Sequence, residues 1–532
     1  MRFDRIIRNG HIIDGTGSRA AFRSDVGIAG DRICALGDLS GAETNCTVNA
    51  DGKVVVPGFI DPHVHSELAL LGGRDQLAGV YQGVTTVLLS PDGFGWAPLD
   101  LGLAQDMWRY TRFGYGDVSI PLGSPTVQAY LDLFRGRIPA NVYPQVPYGA
   151  VRLGAMGWAQ RQATRQELCR MQDTVVEWME EGSGALSAGL DYQPCVHAGI
   201  EELVALARVV SSRGGIYAAH IRKQVLGVTG AWRETLEISR RAGIPVHISH
   251  ERVDGETGQL LEAVDREEID LTFDSYLYPA GMTHLAIMLP PEVQAGSLEE
   301  MLCRMRTTEA RGVSIPYLAG KLSDSGDPIV AYTGSGRYIG MTLSQASQAA
   351  GKSREEFAYD LILDEEGVET FTIPWQGSDR DLDEIIRATA VHPRLMIASD
   401  GIYNVPHPHP RAYGCFARVL RLFVRELGLL SLEQAVHKMS GLTAERFGLT
   451  DRGKIAEGWA ADLVILAPDQ IADRSTWTAP LQMAVGVDTV MVNGEFVLSG
   501  GMPTGRLPGR VLCHAASQSS DRQCLQNHSE EP

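Results

Sequence analysis

The sequence has few lysines and no basic segment. Only six of its 47 basic residues are lysines, and the formal net charge is −18 over 532 residues. Proteins that bind polyanions carry Lys and Arg clustered on one face or along one helix. We therefore expect no nucleic-acid partner and no binding to an anionic membrane surface.

Cysteine pairs and long hydrophobic runs are also missing. The eight cysteines are scattered with no C-x-x-C spacing, which predicts reduced thiols and excludes a disulfide framework or a zinc knuckle. No run of 18 apolar residues occurs, and the first residues, MRFDRIIRNGHIIDG, lack the apolar centre of a signal peptide. These features predict a soluble, cytoplasmic protein.

The composition is otherwise that of a large globular enzyme. Hydrophobic residues make up 44% of the chain and charged residues 21%, which suits a sizeable buried core. The 58 glycines indicate many turns and close backbone approaches. At roughly 150 residues per domain the length suggests three or four domains, although α/β barrels run to about 400 residues as one unit.

Short apolar runs separated by segments of helix length are the most regular feature. The runs are Val54–Asp61, Thr85–Ser90, Asn141–Val146, Ala185–Asp191, Gly215–His220, Ile244–His250, Leu271–Ser275 and Leu395–Asp400. Near-continuous apolar runs are typical of strands buried on both faces of a parallel sheet. Spacers such as Glu201–Ser211 and Trp232–Ala242 are amphipathic and predict helices. Eight such units predict an α/β fold, a (β/α)8 TIM-like barrel.

The two ends of the chain predict a smaller second domain. Residues 1–53 contain short segments in which apolar and polar residues alternate. Similar segments occur in residues 451–512, around Asn493-Gly494, which is a strong hairpin pattern. We predict that both segments form one small β-sandwich domain beside a barrel spanning residues 54–450.

Two further segments fit neither domain. Residues 279–392 are too long for an ordinary connection, so they are predicted to be an insertion with helices of its own and a candidate lid over the barrel. The tail, residues 513–532, is polar and is predicted to be disordered from Ala515.

Polar residues capable of binding metal fall at or just beyond the ends of five runs. They are His63, His65, Asp92, His220, His250 and Asp400. The C-terminal strand ends of a barrel converge on one face, so four imidazoles and two carboxylates are expected to meet there. Such a set predicts a divalent-metal site with a carboxylate left for proton transfer.

Each of these residues alone has a structural alternative. Asp92 lies in Pro91-Asp92-Gly93, a turn pattern, and Asp400 lies in a Ser-Asp-Gly sequence that suits a helix cap. The joint arrangement at one end of the barrel is what favours the metal site.

The string PGFIDPHVH, followed by these strand-end residues, resembles the amidohydrolase superfamily. More narrowly, the chain resembles the D-aminoacylase branch, the N-acyl-D-amino-acid deacylases. The matching strings are QGVTTV, VRLGAMG, GLDYQP, AAHIRKQ, HISHERV, RYIGMTL, SDGIYNVPHPHPRAYGCF and DRGKIAEGWAADLVIL. The resemblance extends over nearly the whole chain, to about Leu512.

The resemblance implies a role for five of the strand-end residues. His63 and His65 match the pair at a more exposed metal position. His220 and His250 match ligands of a more tightly held zinc ion, and Asp400 matches the catalytic aspartate.

The sixth residue, Asp92, departs from the family pattern. It stands in Ser90-Pro91-Asp92-Gly93, where the family usually has a bridging cysteine within G-N-C-G. A carboxylate can also bridge two ions, and it is a harder ligand than a thiolate. We therefore expect one or two Zn²⁺ ions, with Mn²⁺ or Co²⁺ as competitors.

Candidates for binding the substrate are Arg222, Arg252, Tyr192, Tyr276 and Arg411. The two arginines Arg222 and Arg252 each lie two residues beyond a ligand histidine, where a guanidinium fork would match a substrate α-carboxylate. The alternative is a structural role in holding acidic neighbours. His407 and His409, in an HPHP loop, are expected to line the pocket and not to bind metal.

The resemblance implies hydrolysis of the amide bond of an N-acyl-D-amino acid or a similar N-acyl compound. Metal-activated hydroxide would attack the carbonyl, while Asp400 takes the proton and passes it to the leaving nitrogen. The alternatives are a cyclic-amide hydrolase of the hydantoinase or dihydropyrimidinase kind and a non-catalytic scaffold of the same fold. The fourth run lacks the lysine that the cyclic-amide enzymes generally carry, and the complete His and Asp set disfavours a scaffold. A homo-oligomer is a further candidate state.

Overall fold

The structure is a computed structural model that describes residues 2–72, 77–117, 123–323, 326–372 and 384–515. Its strands, in chain order, are β1 (Arg2–Ile12), β2 (Phe22–Ala29), β3 (Arg32–Gly37), β4 (Glu43–Asn49), β5 (Val54–Pro57), β6 (Phe59–Asp61), β7 (Val64–His65), β8 (Val84–Leu88), β9 (Asn141–Tyr143), β10 (Val146–Pro147), β11 (Ala185–Gly189), β12 (Ile216–His220), β13 (Val246–Ile248), β14 (Leu271–Ser275), β15 (Met282–His284), β16 (Ile329–Tyr332), β17 (Thr370–Thr372), β18 (Leu395–Ile397), β19 (Gly401–Ile402), β20 (Leu463–Leu466), β21 (Val487–Val492), β22 (Glu495–Ser499) and β23 (Met502–Pro503).

The helices, also in chain order, are α1 (Glu67–Leu70), α2 (Leu101–Tyr115), α3 (Val127–Leu131), α4 (Tyr148–Met156), α5 (Arg165–Glu180), α6 (Ile200–Ser211), α7 (Lys223–Ala242), α8 (Gly255–Arg266), α9 (Pro291–Gln294), α10 (Leu298–Met305), α11 (Thr308–Ser323), α12 (Leu343–Ala349), α13 (Arg354–Asp364), α14 (Glu384–Val391), α15 (Arg411–Arg418), α16 (Leu432–Met439) and α17 (Gly441–Arg446). A π-helical stretch, Val419–Glu426, continues α15. Within the described ranges, no helix is both long enough and apolar enough to span a membrane.

Parallel strands form the predicted barrel. Hydrogen bonds join them in the orders β6-β8-β9 and β10-β11-β12-β13-β14-β18, and β10 follows directly on β9. Short parallel pairing between β7 and β19, which come just after β6 and β18, brings the two ends of the barrel together. Helices α5 to α8 pack side by side outside the strands. The TIM-like barrel expected from the apolar runs is confirmed.

A second sheet is built from both ends of the chain. Its strands follow the order β23-β22-β21-β20-β5-β1-β2-β3, with β4 paired to β1. Asn493 and Gly494 have φ values of 48° and 79°, the left-handed pair that a tight turn between β21 and β22 requires. The predicted small β domain and its hairpin are therefore present.

One apolar run divides between the two sheets. Residues Val54–Pro57 pair with β1 and β20 in the terminal sheet, so the first run predicted for the barrel supplies only Phe59–Asp61 to it. The chain crosses at Gly58, where an added Cβ would lie 2.0 Å from the Thr85 hydroxyl oxygen. A glycine at this position lets the chain pass closely from one sheet to the other.

The last described residues belong with the barrel and not with the terminal sheet. The amide of Val142 in β9 donates to the Arg510 carbonyl over 2.9 Å, and Leu512 N donates to the Val142 carbonyl over 2.8 Å. His514 N donates to the Gly182 carbonyl over 2.8 Å. This pairing corrects the assignment of residues up to 512 to the β domain; the predicted disorder of the tail falls on residues 516–532, outside the described part.

The predicted insertion forms a separate lobe. Strands β15, β17 and β16 make a small antiparallel sheet, and helices α9 to α13 surround an apolar core that includes Leu285 and Phe371. The lobe touches two segments that follow barrel strands. The Thr370 hydroxyl donates to the carbonyl of Phe113 in α2 over 2.8 Å, and His407 N, in the loop after β19, donates to the Ala331 carbonyl of β16 over 3.2 Å.

Candidate active site

Several non-glycine residues just beyond the carboxyl ends of barrel strands have left-handed backbones, and four of them lie in or next to the predicted metal site. The φ values are 62° at Ser90, 55° at Asp92, 38° at His250 and 45° at Asp400. Such conformations cost free energy and persist where the surrounding structure enforces them, which is common at functional sites. Three of these four residues are predicted metal-site residues.

The Asp92 carboxylate lies at the centre of the site. Its carboxylate oxygens lie 3.6 Å from His63 Nε2, 3.8 Å from His65 Nε2, 3.7 Å from His220 Nδ1 and 4.0 Å from His250 Nε2. The structure thus brings all four predicted histidines to one carboxylate. A carboxylate within reach of both histidine pairs would be able to bind metal together with either of them.

Asp400 lies on the other side of the first histidine pair. Its Oδ1 is 3.8 Å from His63 Nε2 and 3.5 Å from His65 Nε2, while its Oδ2 is 2.8 Å from Arg411 Nη2. The Asp400 amide donates to the His63 carbonyl over 2.8 Å, which ties the end of the last barrel strand to the first.

The donor atoms suit a divalent metal. Two sets converge within 4.8 Å of one another: His63, Asp92 and His250, and His63, His65 and Asp400. His63 Nε2 and Asp92 Oδ1 are buried and have no hydrogen-bond partner in the described structure. Buried polar atoms are rarely left unsatisfied, so imidazole nitrogens and carboxylate oxygens aimed at one another in this way fit a metal centre.

Carboxylates that the sequence analysis did not single out as site residues stand behind the histidines. Asp191 Oδ2 lies 3.2 Å from His220 Nε2, the nitrogen that faces away from Asp92. Asp274 accepts from the His250 amide over 2.8 Å and lies 3.9 Å from His63 Nδ1. Outer carboxylates of this kind fix the ring orientation and tautomer of a ligating histidine.

A third buried carboxylate holds the Asp92 loop. Glu67 is fully buried, accepts a short hydrogen bond from the Ser90 amide, and lies beside Tyr115, whose ring meets the edge of His65 at 5.3 Å. Burial, only partly offset by that amide, raises the pKa of Glu67 to about 7. Glu67 therefore supports both His65 and the left-handed turn that presents Asp92.

The surroundings of His220, His250 and Asp400 shift the pKa values of these groups in different directions. Burial opposes protonation of His220, but Asp191 and Asp92 outweigh it and raise the pKa of this imidazole. Burial and the adjacent His220 hold the pKa of His250 well below its ordinary value. Burial alone would raise the pKa of Asp400, yet Arg411 and the neighbouring histidines lower it well below the usual range. Asp400 is therefore an ionised carboxylate, able to accept a proton.

The predicted carboxylate clamp is not supported for Arg222. Its guanidinium is only 6% exposed, donates to the carbonyls of Val196 and Ala198, and lies 2.8 Å from Glu234. These contacts favour the structural role that the sequence analysis gave as the alternative for Arg222, although its Nε and Nη2 atoms have no well-aligned hydrogen bond in the described structure.

Arg252, Tyr276 and Arg411 lie together beside Asp400. The Tyr276 ring lies near two guanidinium groups, 5.9 Å from that of Arg252 and 4.3 Å from that of Arg411. Arg252 also donates to the Tyr278 carbonyl over 2.8 Å. This cluster gives the pocket one positively charged side.

A cluster of aromatic rings packs beside His220. The Tyr192 ring lies 4.8 Å from His220, 5.0 Å from Phe94 and 6.3 Å from Phe113. Neither histidine of the HPHP loop belongs to the two metal-binding sets: His407 Nε2 lies 2.8 Å from the Trp477 carbonyl, and His409 Nδ1 accepts from the Arg411 amide over 3.0 Å.

Comparison with known proteins agrees with this geometry. The model of the amidohydrolase family matches residues 46–306 and 380–498, which is more than half of the chain. The chain belongs to the amidohydrolase family. In this amidohydrolase the two matched segments flank most of the inserted lobe.

Several characterised proteins resemble this amidohydrolase along its whole length. A D-aminoacylase of Alcaligenes xylosoxydans is 35% identical over 97% of this chain and 98% of its own. The crystal structure of an N-acyl-D-glutamate deacylase from Bordetella bronchiseptica, complexed with zinc and a phosphonate mimic of the tetrahedral intermediate, matches with a TM-score of 0.80 and 31% identity, covering 96% of this chain and 100% of that one. A D-aminoacylase described as having a binuclear metal centre matches with a TM-score of 0.77 and 30% identity, covering 96% and 99%.

Proposed function

We propose that this amidohydrolase is a metal-dependent deacylase of N-acyl-D-amino acids. The observation that carries the proposal is the convergence of four histidines on Asp92, with the ionised Asp400 and Arg411 beside them. The names of its full-length relatives specify D-aminoacylase and N-acyl-D-glutamate deacylase.

The residues present fit one or two Zn²⁺ ions, with Mn²⁺ or Co²⁺ as competitors. His63, His65, His220, His250 and Asp92 would hold them. When bound, the metal would supply Lewis acidity to the scissile carbonyl and make water a better acid. Oxygen donation by Asp92 favours the harder ions more than a thiolate would.

The other side chains of the site would bind the substrate and transfer the proton. Arg252, Tyr276 and Arg411 supply the charge and polarity that a substrate α-carboxylate needs, and Arg411 places it next to Asp400. Asp400 accepts a proton from the attacking water and delivers it to the amide nitrogen, so one carboxylate acts first as base and then as acid. Tyr192, whose ring packs 4.8 Å from His220, would contact the substrate beside this histidine.

One feature of the barrel sets this proposal apart from the cyclic-amide alternative. The fourth barrel strand, Ala185–Gly189, carries Ser187 at its centre and no lysine, unlike the cyclic-amide hydrolases that use a carboxylated lysine. The thiols of Cys34, Cys46, Cys169, Cys195, Cys303 and Cys415 form no disulfide in the described structure, which supports the proposal that the enzyme works in the cytoplasm.

The proposal is tested with paired N-acetyl-D- and N-acetyl-L-amino acids, hydantoin and dihydrouracil, after loading with Zn²⁺, Co²⁺ or Mn²⁺. We expect turnover of D-amides, and Asp400→Asn should lower kcat by about 10²- to 10⁴-fold, the usual contribution of a general acid–base group. Elemental analysis should still find metal in this variant, and the exposed Asp38→Asn should behave like the wild type. Turnover of cyclic amides only, or full activity of Asp400→Asn, would refute the proposal.

A further inference from the structure

The candidate metal site is open to solvent beside two neighbouring barrel strands. The side chains of His220 and His250 are 15% and 19% exposed, whereas those of His63 and His65 are 3% and 5% exposed. His220 ends β12, and His250 follows β13. A substrate therefore reaches the site past the segments that come directly after these two strands.

The two halves of an N-acyl amino acid extend in different directions from the scissile carbonyl. In the proposed function the α-carboxylate lies near Arg252, Tyr276 and Arg411, which come after β13, β14 and β18. Strand β12 is the neighbour of β13 on the side away from β14. The acyl group, on the other side of the carbonyl, is therefore directed toward the segment that follows β12.

The segment after β12 contains a separate turn of helix. Residues 223–226 form the start of α7, and Gly227, with φ 67° and ψ 174°, interrupts the helix directly after them. The Gln224 amide donates to the Asp191 carboxylate over 3.1 Å, and the same carboxylate lies 3.2 Å from His220 Nε2. One carboxylate thus fixes this turn next to a proposed metal ligand.

The turn presents two large apolar side chains to solvent. Val225 is 53% exposed and Leu226 is 43% exposed. Single apolar residues are common on protein surfaces, but neighbouring ones at the entrance of a site are typical of contact with an apolar ligand or partner.

The inserted lobe adds an apolar helix face next to this turn. Lys321 Nζ in α11 lies 3.3 Å from the side-chain oxygen of Gln224. Tyr317 and Val313, four and eight residues before Lys321, lie on the same side of the helix and are also exposed. This side of α11 extends for about 12 Å, the rise of eight helical residues. Together, Val225, Leu226, Val313 and Tyr317 form a surface that we term the apolar rim.

We propose that the apolar rim binds the acyl chain of the substrate and that the enzyme acts on N-acyl-D-amino acids with medium or long acyl chains. The inference rests on the proposed function. An acetyl group ends beside Tyr192 and His220, whereas a longer chain continues past the first turn of α7 and along α11. Contact with the rim removes apolar surface of the chain from water, which is favourable in proportion to the area covered.

The size of the rim favours an acyl chain over a protein partner. A stable protein interface uses roughly 20 residues or more on each side, and the rim offers four apolar side chains. The rim also continues from the active site through Gln224 and Asp191, as the path of a substrate chain requires.

The test compares the N-acetyl, N-butyryl and N-octanoyl derivatives of D-alanine, an amino acid with a small side chain. Complete burial of one methylene group is worth about fourfold in binding, and a surface that is open on one side should give about twofold. We expect kcat/KM to rise with chain length, so that the octanoyl derivative exceeds the acetyl derivative by about 30-fold or more. Equal values for the three amides would overturn the assignment.

The double variant Val225→Ser and Leu226→Ser removes the apolar side chains of the turn and leaves its backbone contacts in place. It should lower kcat/KM for the octanoyl derivative by about 5- to 10-fold, mainly through KM, and change the acetyl derivative by less than about twofold. Tyr317→Ser tests the contribution of the lobe in the same way.

The matched control is the double variant Met502→Ser and Leu507→Ser, which removes two exposed apolar side chains from the terminal β domain. It should keep the chain-length dependence of the wild type. An equal effect of the Val225 and Leu226 double variant on all three amides would overturn the assignment. So would conversion of a dimer into a monomer by this variant with an unchanged chain-length dependence, because the rim would then be an interface between copies of the chain.

Failure of the proposed function is detected separately. Binding of N-acetyl- and N-octanoyl-D-alanine to Asp400→Asn is measured by calorimetry, which needs no turnover. If the octanoyl derivative binds at least tenfold more tightly and the serine pair at 225 and 226 removes most of this gain, while the wild type hydrolyses no N-acyl-D-amino acid, the rim binds acyl chains and the proposed reaction is wrong. If the two derivatives bind equally, the assignment of the rim is wrong whatever the reaction.

Discussion

At the scale of single residues, the histidines proposed as metal ligands contact further carboxylates on the side away from Asp92. Asp191 contacts the outer nitrogen of His220 and also accepts from the Gln224 amide over 3.1 Å. Its carboxylate therefore orients the ring and raises the basicity of the inner nitrogen.

Replacement of Asp191 by asparagine should weaken metal binding by about 10- to 100-fold, the usual effect of losing such a partner. The amide keeps the shape and the contact with Gln224, so the fold should be unchanged. Titration of the metal-free protein with Zn²⁺ against a chelator measures the effect, with the exposed Asp106→Asn as the matched control. An unchanged zinc affinity would show that Asp191 does not position His220.

The convergence of the four histidines with Asp92 and Asp400 was predictable, because each residue follows an apolar run and the carboxyl ends of barrel strands meet on one face. The same rule applied to Asp191 and Asp274, which end or interrupt the fourth and seventh runs, would have placed them at the site. The partners of these two carboxylates were not predictable, because they depend on which strands are neighbours. Asp274 accepts from the His250 amide, and this contact requires that β13 pairs with β14. Arg222 is the opposite case. Its spacing from His220 predicted a place in the substrate site, whereas its guanidinium lies 2.8 Å from Glu234.

At the scale of elements, the inserted lobe contains a buried acid. Glu369, next to β17, is fully buried and neither carboxylate oxygen has a well-aligned hydrogen bond in the described structure. Burial, helped by the nearby Glu365 and opposed by the amides of Leu285 and Ala286, raises the pKa of Glu369 to about 8.

The raised pKa of Glu369 makes the stability of the lobe fall as the pH rises. The folded state holds the Glu369 proton up to about pH 8, whereas the unfolded chain releases it near the ordinary glutamate pKa of 4.5. The stability from this group is complete below about pH 4.5 and is lost as the pH rises through about 8. We expect the Tm of the wild type to fall by several degrees between pH 5 and pH 8, and Glu369→Gln to flatten that dependence. Equal slopes for the two proteins, measured by calorimetry at each pH, would contradict the assignment.

Apolar runs predicted the strands but not which sheet they join. Val54–Asp61 is one continuous run, yet β5 lies in the terminal sheet and β6 in the barrel. Apolar periodicity reports burial, and both sheets bury their strands equally well. The partner is decided by contacts distant in sequence, such as β20 with β5, and these are invisible in a local pattern.

At the scale of the whole molecule, a buried polar network joins the barrel to the terminal sheet. Asp462, just before β20, forms a short contact with Arg452 and accepts from the side chain of Asn141 on β9 over 2.9 Å. Asn493, in the hairpin turn, donates its amide to Asp462 over 2.6 Å and its side-chain nitrogen to Asn141 over 2.7 Å. One carboxylate thus neutralises a buried guanidinium and links both sheets.

Removing this carboxylate should loosen the junction and leave the catalytic centre intact. Asp462→Ala leaves Arg452 buried without its counter-charge, so we expect the free energy of unfolding to fall by about 3–5 kcal/mol in chemical denaturation. Asp51→Ala breaks an ion pair with Arg23 in which both side chains are more than 60% exposed, and it should cost less than about 1 kcal/mol. Because no ligand of the metal centre contacts Asp462, kcat measured well below the unfolding transition should match the wild type. A loss of kcat without a loss of stability would mean that the junction acts on the active site and is not a structural link between the sheets.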